Sequence, residues 1–203
     1  MIKSTYHHGR LKEALLKEAF KVLEERGLEA LSLRELAEKT GVSKNAPYRH
    51  FASRQDLLAT LAADGFREFA DTMEGAVNSL DPKDFPTAFS HSLECLRAIF
   101  RVYLGFARKR PACYRLMFSE LGYSLHSESC RSNSMRAFGI LTETVGRAHQ
   151  QGWRSNEDPL CLGLQIWATV HGWASIINDR LLPEHLVEAV DYPLEDLLFP
   201  AGT

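Results

Sequence analysis

Between Arg34 and Phe51 the chain reads Arg-Glu-Leu-Ala-Glu-Lys-Thr-Gly-Val-Ser-Lys-Asn-Ala-Pro-Tyr-Arg-His-Phe. The second half of this stretch gathers donors of the kind that meet base edges and phosphates. Lys44 can donate to guanine O6 and N7, Asn45 can pair with adenine N6 and N7, and Ala46 can pack on a thymine methyl, with Ser43 beside them. Tyr48, His50 and Arg54 have the reach and the donors to hold phosphates, which fixes register without reading sequence. Arg34, with Tyr6, His7 and His8 far upstream, can add contacts to the sugar-phosphate backbone. Pro47 is tolerable in such a segment only near the first turn of a helix, where few N–H bonds are lost.

Helical spacing supplies the elements that must hold these groups. Leu11, Leu15, Ala19, Val22 and Leu23 form one stripe, with Lys12, Glu13, Lys17, Glu18 and Lys21 opposite, and Gly27 ends that first helix. Ser32 and Glu35 stand at capping-box spacing and open a second helix carrying Leu33, Leu36 and Ala37, which Gly41 closes. Ser43 can cap a third, short helix anchored by Val42 and Phe51. Two short helices joined by a Gly-containing turn describe a helix-turn-helix, with Ala37 small enough for the crossing point. The later of the two is too short and polar to be stable alone, and its width suits a major groove entered by its N-terminal residues. Ser53 and Asp56 repeat the capping spacing before a long helix that links this head to the rest without a flexible linker.

Tyr6-His-His-Gly-Arg-Leu-Lys-Glu-Ala-Leu-Leu, Leu31-Ser-Leu-Arg-Glu-Leu-Ala, Gly41-Val-Ser and Tyr48-Arg-His-Phe51 together resemble the DNA-binding domain of TetR-family transcriptional regulators, over residues 6 to about 65. Arg110-Pro-Ala-Cys-Tyr-Arg-Leu-Met-Phe118 and Trp167-Ala-Thr-Val-His-Gly172 resemble a C-terminal regulatory domain found in one branch of that family. The resemblance implies a homodimeric repressor, released from double-stranded operator DNA by a small molecule bound in the C-terminal domain. It also implies that Lys44 to Pro47 enter the groove while Tyr48, His50 and Arg54 sit on phosphate. Base-reading positions vary widely within the family, so no operator sequence follows.

The C-terminal half reads as all helix. Pro82 and Pro86 precede a helix reaching Arg110, Pro111 starts a short apolar segment through Glu120, and Gly122 to Ser134, polar and Ser-rich, contains a loop. Further helices are expected from about Met135 to Gln151, from Pro159 to before Pro183, and after Glu184. Between residues 160 and 181 one stripe joins Leu160, Leu164, Trp167, His171, Ala174 and Leu181, and another joins Leu162, Ile166, Val170, Trp173 and Ile177. A helix apolar on two faces is buried from both sides, either in a homodimer through the last two helices, the final one offering Leu186, Val187, Val190 and Leu197, or in a thicker monomer core; the resemblance favours the dimer. An effector pocket needs apolar walls and a few polar groups; Phe89, Phe106, Phe118, Phe138, Trp167 and His171 are the expected lining.

The fold class expected is therefore all-α with about nine helices: a three-helix helix-turn-helix domain over residues 1–60 and a larger ligand-binding and dimerisation domain over 61–203. The charge divides at the same place. The whole chain of 203 residues carries a net −2, but residues 1–60 hold 11 Lys and Arg against 8 Asp and Glu, and the remainder holds 13 against 18. A basic head on an acidic body fits one anionic partner met at one end. Four cysteines at 95, 113, 130 and 161 have neither zinc-knuckle nor disulfide-framework spacing and read as buried thiols of a reducing cytoplasm. No apolar leader and no run of 18 apolar residues argue against a membrane. No nucleophile triad, phosphate loop, H-E-x-x-H or paired-carboxylate pattern suggests an enzyme or a cofactor. The alternative kept open is a metal- or redox-responsive regulator on the same scaffold, using Cys or His.

Overall fold

Most of the expected helical periodicity is realised among the described residues. A computed structural model describes residues 5–119, 127–183, 185–187 and 198–199, with the side chains of residues 5–9 outside that description. Among the described residues there are seven α-helices with both ends described, further helical residues at 185–187 and 198, three short 3-10 turns and no strand. The helices are α1 (Thr5–Arg26), α2 (Leu33–Lys39), α3 (Arg54–Asn78), α4 (Ala88–Lys109), α5 (Pro111–Met117), α6 (Glu128–Gln150) and α7 (Pro159–Asn178). Of the helix expected after Glu184, Val190 and Leu197 lie outside the described residues, as do the side chains of Tyr6, His7 and His8.

The described chain forms two compact units: residues 1–66 with 110–133, and residues 67–109 with 134–203. A simple division at residue 60 does not anticipate that α5 belongs with the N-terminal unit. Its physical basis is a close approach and a cap. Gly65 of α3 stands so near α5 that a Cβ there would lie 2.7 Å from Cys113 Sγ and 2.9 Å from Met117 Sδ. The first turn of α5 lacks a cap of its own, because Arg110 supplies none and Pro111 has no N–H. Glu24 of α1 accepts the N–H groups of Ala112 and Cys113 at 3.1 and 3.0 Å instead. The core of this unit is built from Leu15, Ala19, Leu23, Leu36, Phe51, Leu58, Leu61 and Met117, all essentially inaccessible to solvent.

In the second unit α4 packs against α7. Leu96, Ile99, Phe100 and Leu104 of α4 and Leu162, Ile166, Val170 and Trp173 of α7 are buried there. The α6 helix begins seven residues before the expected Met135. Ser127 Oγ accepts the Cys130 N–H at 3.1 Å, and the polar run that follows is an exposed helix face. Gly152, at φ 100, ends α6, and Trp153 beyond it is fully buried. The α7 helix is long and apolar enough, by length and composition, to cross a membrane. Within one chain its Leu162 stripe is buried, whereas Leu160 and Leu164 of the other stripe are 56% and 43% exposed.

Candidate nucleic-acid interface

The reading segment is assembled from three local devices. Ser32 Oγ accepts the Glu35 N–H at 3.0 Å and caps α2. The Glu35 carboxylate does not return to Ser32 as in a full capping box; it bonds Arg26 of α1. At the other end Gly41 takes φ 68 while its N–H donates to Glu38 and the Val42 N–H donates to Ala37, closing α2 with a Schellman turn. After that turn the chain does not form the third α-helix expected from Ser43.

It forms a tighter structure, with a 3-10 turn at Pro47–Arg49. Position 47 is the reason. An α-helix capped at Ser43 needs the N–H of residue 47 to reach the Ser43 carbonyl, and proline has none. That carbonyl accepts the Ala46 N–H at 2.9 Å instead, and Arg49 and His50 bond back to Ala46 and Pro47 at 3.2 and 2.9 Å. Pro47 itself is buried, so its ring anchors the turn and does not face outward with the base-reading set. Phe51 is 1% exposed and fixes the exit.

This arrangement turns Ser43, Lys44 and Asn45 to solvent, with Ala46 and His50 half-buried behind them and Tyr48 55% exposed. Arg34, at the start of α2, is exposed, with Glu38 at 4.0 Å on the next turn. Arg49, which the residue types alone do not single out, is exposed beside Tyr48 on the same turn. Its position between two expected contacts was the available signal. Arg54 is placed otherwise than expected. Its Nε donates to the Leu31 carbonyl at 2.9 Å and its Nη2 to the Leu28 carbonyl at 2.7 Å, so these donors are committed inside the fold.

Of the expected effector lining, Phe118 lies in the first unit, where its ring is 5.2 Å from Phe66 and 4.7 Å from Tyr114. The other five lie in the second unit, with Phe89 in the first turn of α4. Phe138, Trp167 and His171 follow one another at 6.0 and 5.7 Å between ring centroids. His171 Nδ1 then hydrogen-bonds the Tyr103 hydroxyl at 3.0 Å, and Phe69 continues the series to Tyr103 and Phe106 at 4.9 and 5.0 Å. Burial holds the His171 imidazole below its ordinary pKa and thus favours the neutral ring.

Cys95, Cys113 and Cys130 are buried, and burial raises the thiols of Cys95 and Cys130. Cys161 is exposed, and the Asp158 carboxylate beside it raises its thiol as well. Among the described residues no three His, Cys, Asp or Glu side chains gather as a metal site.

Comparison with known proteins adds a second line of argument. Residues 15–61 match the model for bacterial regulatory proteins of the tetR family, and residues 96–197 match the tetracyclin repressor-like C-terminal domain. An HTH-type transcriptional regulator of Mycobacterium tuberculosis is 32% identical over 120 residues, which is 59% of this chain and 46% of that protein. The match thus spans just under half the length of that relative. A protein of unknown function from Rhodococcus sp. RHA1 is 28% identical, with a TM-score of 0.79 over 97% of each chain. AibR, solved in complex with isovaleryl coenzyme A and operator DNA, shares the fold at 20% identity and a TM-score of 0.66, over 94% of this chain and 98% of its own.

Proposed function

This chain belongs to the tetR family of bacterial regulatory proteins, and we propose that it works as a sequence-specific, DNA-binding transcriptional repressor released from its operator by a small-molecule effector. The observation that carries the DNA-binding half is the Ser43–Tyr48 turn. A Schellman turn before it, a buried proline within it and a buried phenylalanine after it leave the polar side chains outermost. In this reading Lys44 and Asn45 meet base edges, with Ser43 and Ala46 beside them. Tyr48, His50, Arg34 and, from its exposure, Arg49 hold the sugar-phosphate backbone. Phosphate contacts dominate affinity, so binding falls steeply with salt.

The partner reading rests on α7. Its exposed stripe of Leu160, Leu164, Ala168 and Gly172 fits a second copy of the chain. A two-fold dimer sets two reading turns against half-sites about one helical turn, ~34–36 Å, apart. The effector reading rests on the series from Phe138 through His171 to Phe106, apolar rings interrupted by one hydrogen-bonded polar pair. AibR supports the idea that one chain of this fold serves both a small molecule and an operator. The effector biases the dimer toward a spacing that no longer matches the half-sites, which is a coupling of two binding equilibria. The protein acts in the cytoplasm without catalysis.

The decisive experiment is selection of genomic fragments by the purified full chain. Enrichment of a two-fold symmetric motif over random DNA, with neighbouring genes derepressed when the protein is deleted, is expected. Recovery of fragments without a shared motif overturns the reading.

A further inference from the structure

We propose that Arg54 is a positioning residue for the reading turn and not one of its phosphate contacts, an inference that rests on the DNA-binding reading above. Arg54 is the first residue of α3, and it reaches back 23 and 26 residues to the carbonyls of Leu31 and Leu28. Those carbonyls belong to the 3-10 turn Leu28–Ala30 and the residue after it, the irregular link between α1 and α2. Leu31 is 1% exposed, so its carbonyl sits where an unmade hydrogen bond is costly.

The bond pattern makes a closed loop of the whole reading element. The chain leaves Leu31, runs through α2, the Gly41 turn and the Pro47 turn, and returns at Arg54, whose guanidinium clasps the point of departure. The far side of this loop needs such a clasp. Pro47 removes one backbone donor from the reading turn, which is held by three 3-10 bonds, one longer-range bond from the Phe51 N–H to the Pro47 carbonyl, and two buried anchors, Pro47 and Phe51. Phe51 stands three residues before Arg54, and between them the Asp56 carboxylate accepts the Ala52 N–H at 2.9 Å. The start of α3 therefore fixes the exit of the reading turn and, through Arg54, its entry. A planar guanidinium can serve two carbonyls at once; a lysine ammonium, as a point charge on a flexible stem, cannot reproduce that fork.

The two roles predict different responses to charge-preserving substitution. Full-length Arg54→Lys and Arg54→Gln are compared with the unchanged chain, at a temperature where circular dichroism shows each fully folded. The probes are an operator fragment recovered by genomic selection and a random-sequence duplex of equal length. Amide hydrogen exchange is followed over residues 32–53 in protein without DNA. As a clasp, both variants lose about tenfold or more in operator affinity, since neither side chain reproduces the paired bonds to the part-buried Leu31 and Leu28 carbonyls. The random duplex and the salt slope stay unchanged, and exchange protection over α2 and the reading turn falls alike in both. A stability role alone leaves operator affinity of the folded variants untouched and overturns the proposal. So does a phosphate contact, which leaves Arg54→Lys like the parent while Arg54→Gln lowers the slope by about 0.9 on both duplexes. Should the unchanged chain select no fragment, the DNA-binding reading fails by itself; unaltered exchange in both variants then overturns the clasp separately.

Discussion

The carboxylate of Glu24, in the last turns of α1, holds the backbone N–H of Cys113, in the first turn of α5, at 3.0 Å. Its second oxygen holds the Ala112 N–H at 3.1 Å. Arg110 closes the arrangement, with its Nε 3.5 Å from the same carboxylate and its guanidinium 4.9 Å above the Phe20 ring. A negative charge at a helix N-terminus answers both the orphan donors and the dipole there. The consequence is structural: α5 is bound to α1 by a cap from 88 residues away in sequence.

Replacement of Glu24 by alanine strands two part-buried N–H groups, and charge-assisted bonds of this kind contribute about 1.5–3 kcal/mol. Glu24→Ala is expected to lower the unfolding free energy by about 2 kcal/mol in urea, and Glu24→Gln by clearly less, because one acceptor remains. A Glu24→Ala protein with the midpoint and slope of the parent would show that water replaces the cap without loss.

Within the reading turn, exposure separates the expected contacts into two experimental classes. Lys44 and Tyr48 are both exposed on the turn, the first proposed to meet base edges and the second to hold phosphate. Lys44→Ala is expected to cost about 1–3 kcal/mol on the preferred operator and little on a variant of that operator altered at the contacted base pair. Tyr48→Phe removes one hydrogen bond to phosphate and should weaken all sequences alike. Fluorescence anisotropy on matched duplexes decides it, and equal losses for Lys44→Ala on both duplexes contradict base reading.

The turn also shows where sequence was sufficient and where it was not. Ser32, Gly41 and Phe51 announced the helix-turn-helix because caps, left-handed glycines and buried anchors act within a few residues of themselves. Pro47 was legible as a restriction, but the replacement of the α-helix by 3-10 geometry follows only once Ser43 is known to be the carbonyl left waiting. Arg54 and Glu24 were opaque for a common reason. Long polar side chains choose partners by tertiary proximity, and carbonyls or N–H groups 23 to 89 residues distant leave no periodic trace. The start of α6 was missed because Ser, Asn and Arg on an exposed helix face look like loop composition until Cys130, Ala137 and Leu141 are seen buried along one stripe.

The His171–Tyr103 pair makes stability depend on pH in a definite direction. Burial lowers the His171 pKa below its ordinary 6.5, so between that value and the folded-state pKa the unfolded chain binds more protons than the folded one. The contribution is fully present above pH 6.5 and is lost as pH falls below it toward the folded pKa. The chain holds seven other histidines, so the measurement is a difference. The parent should lose more stability than His171→Gln between pH 7.5 and 5.5 in urea unfolding, with Tyr103→Phe intermediate because it loses the bond but keeps the ring. Parallel pH profiles for parent and His171→Gln would mean that the imidazole is not held neutral by its surroundings.

The exposed stripe of α7 carries the last prediction. Leu160 and Leu164 are 56% and 43% exposed in one chain, on a helix whose opposite stripe is buried against α4. Gly172, further along the exposed stripe, has nothing within 4 Å of where a Cβ would stand. In an isolated protomer Gly172→Ala should therefore stabilise the helix by up to about 1 kcal/mol. Against a second copy packed at backbone distance the same methyl group should weaken association. Sedimentation equilibrium separates the effects: Leu164→Glu is expected to yield folded monomers, and Gly172→Ala to raise the dimer dissociation constant while raising monomer stability. Met135→Glu, at a site 61% exposed on α6, serves as the control and should leave the dimer intact. Operator affinity should fall with the dimer in Leu164→Glu, because one reading turn engages only one half-site. A Leu164→Glu protein that remains dimeric at the parent's concentration dependence would move the interface off this stripe.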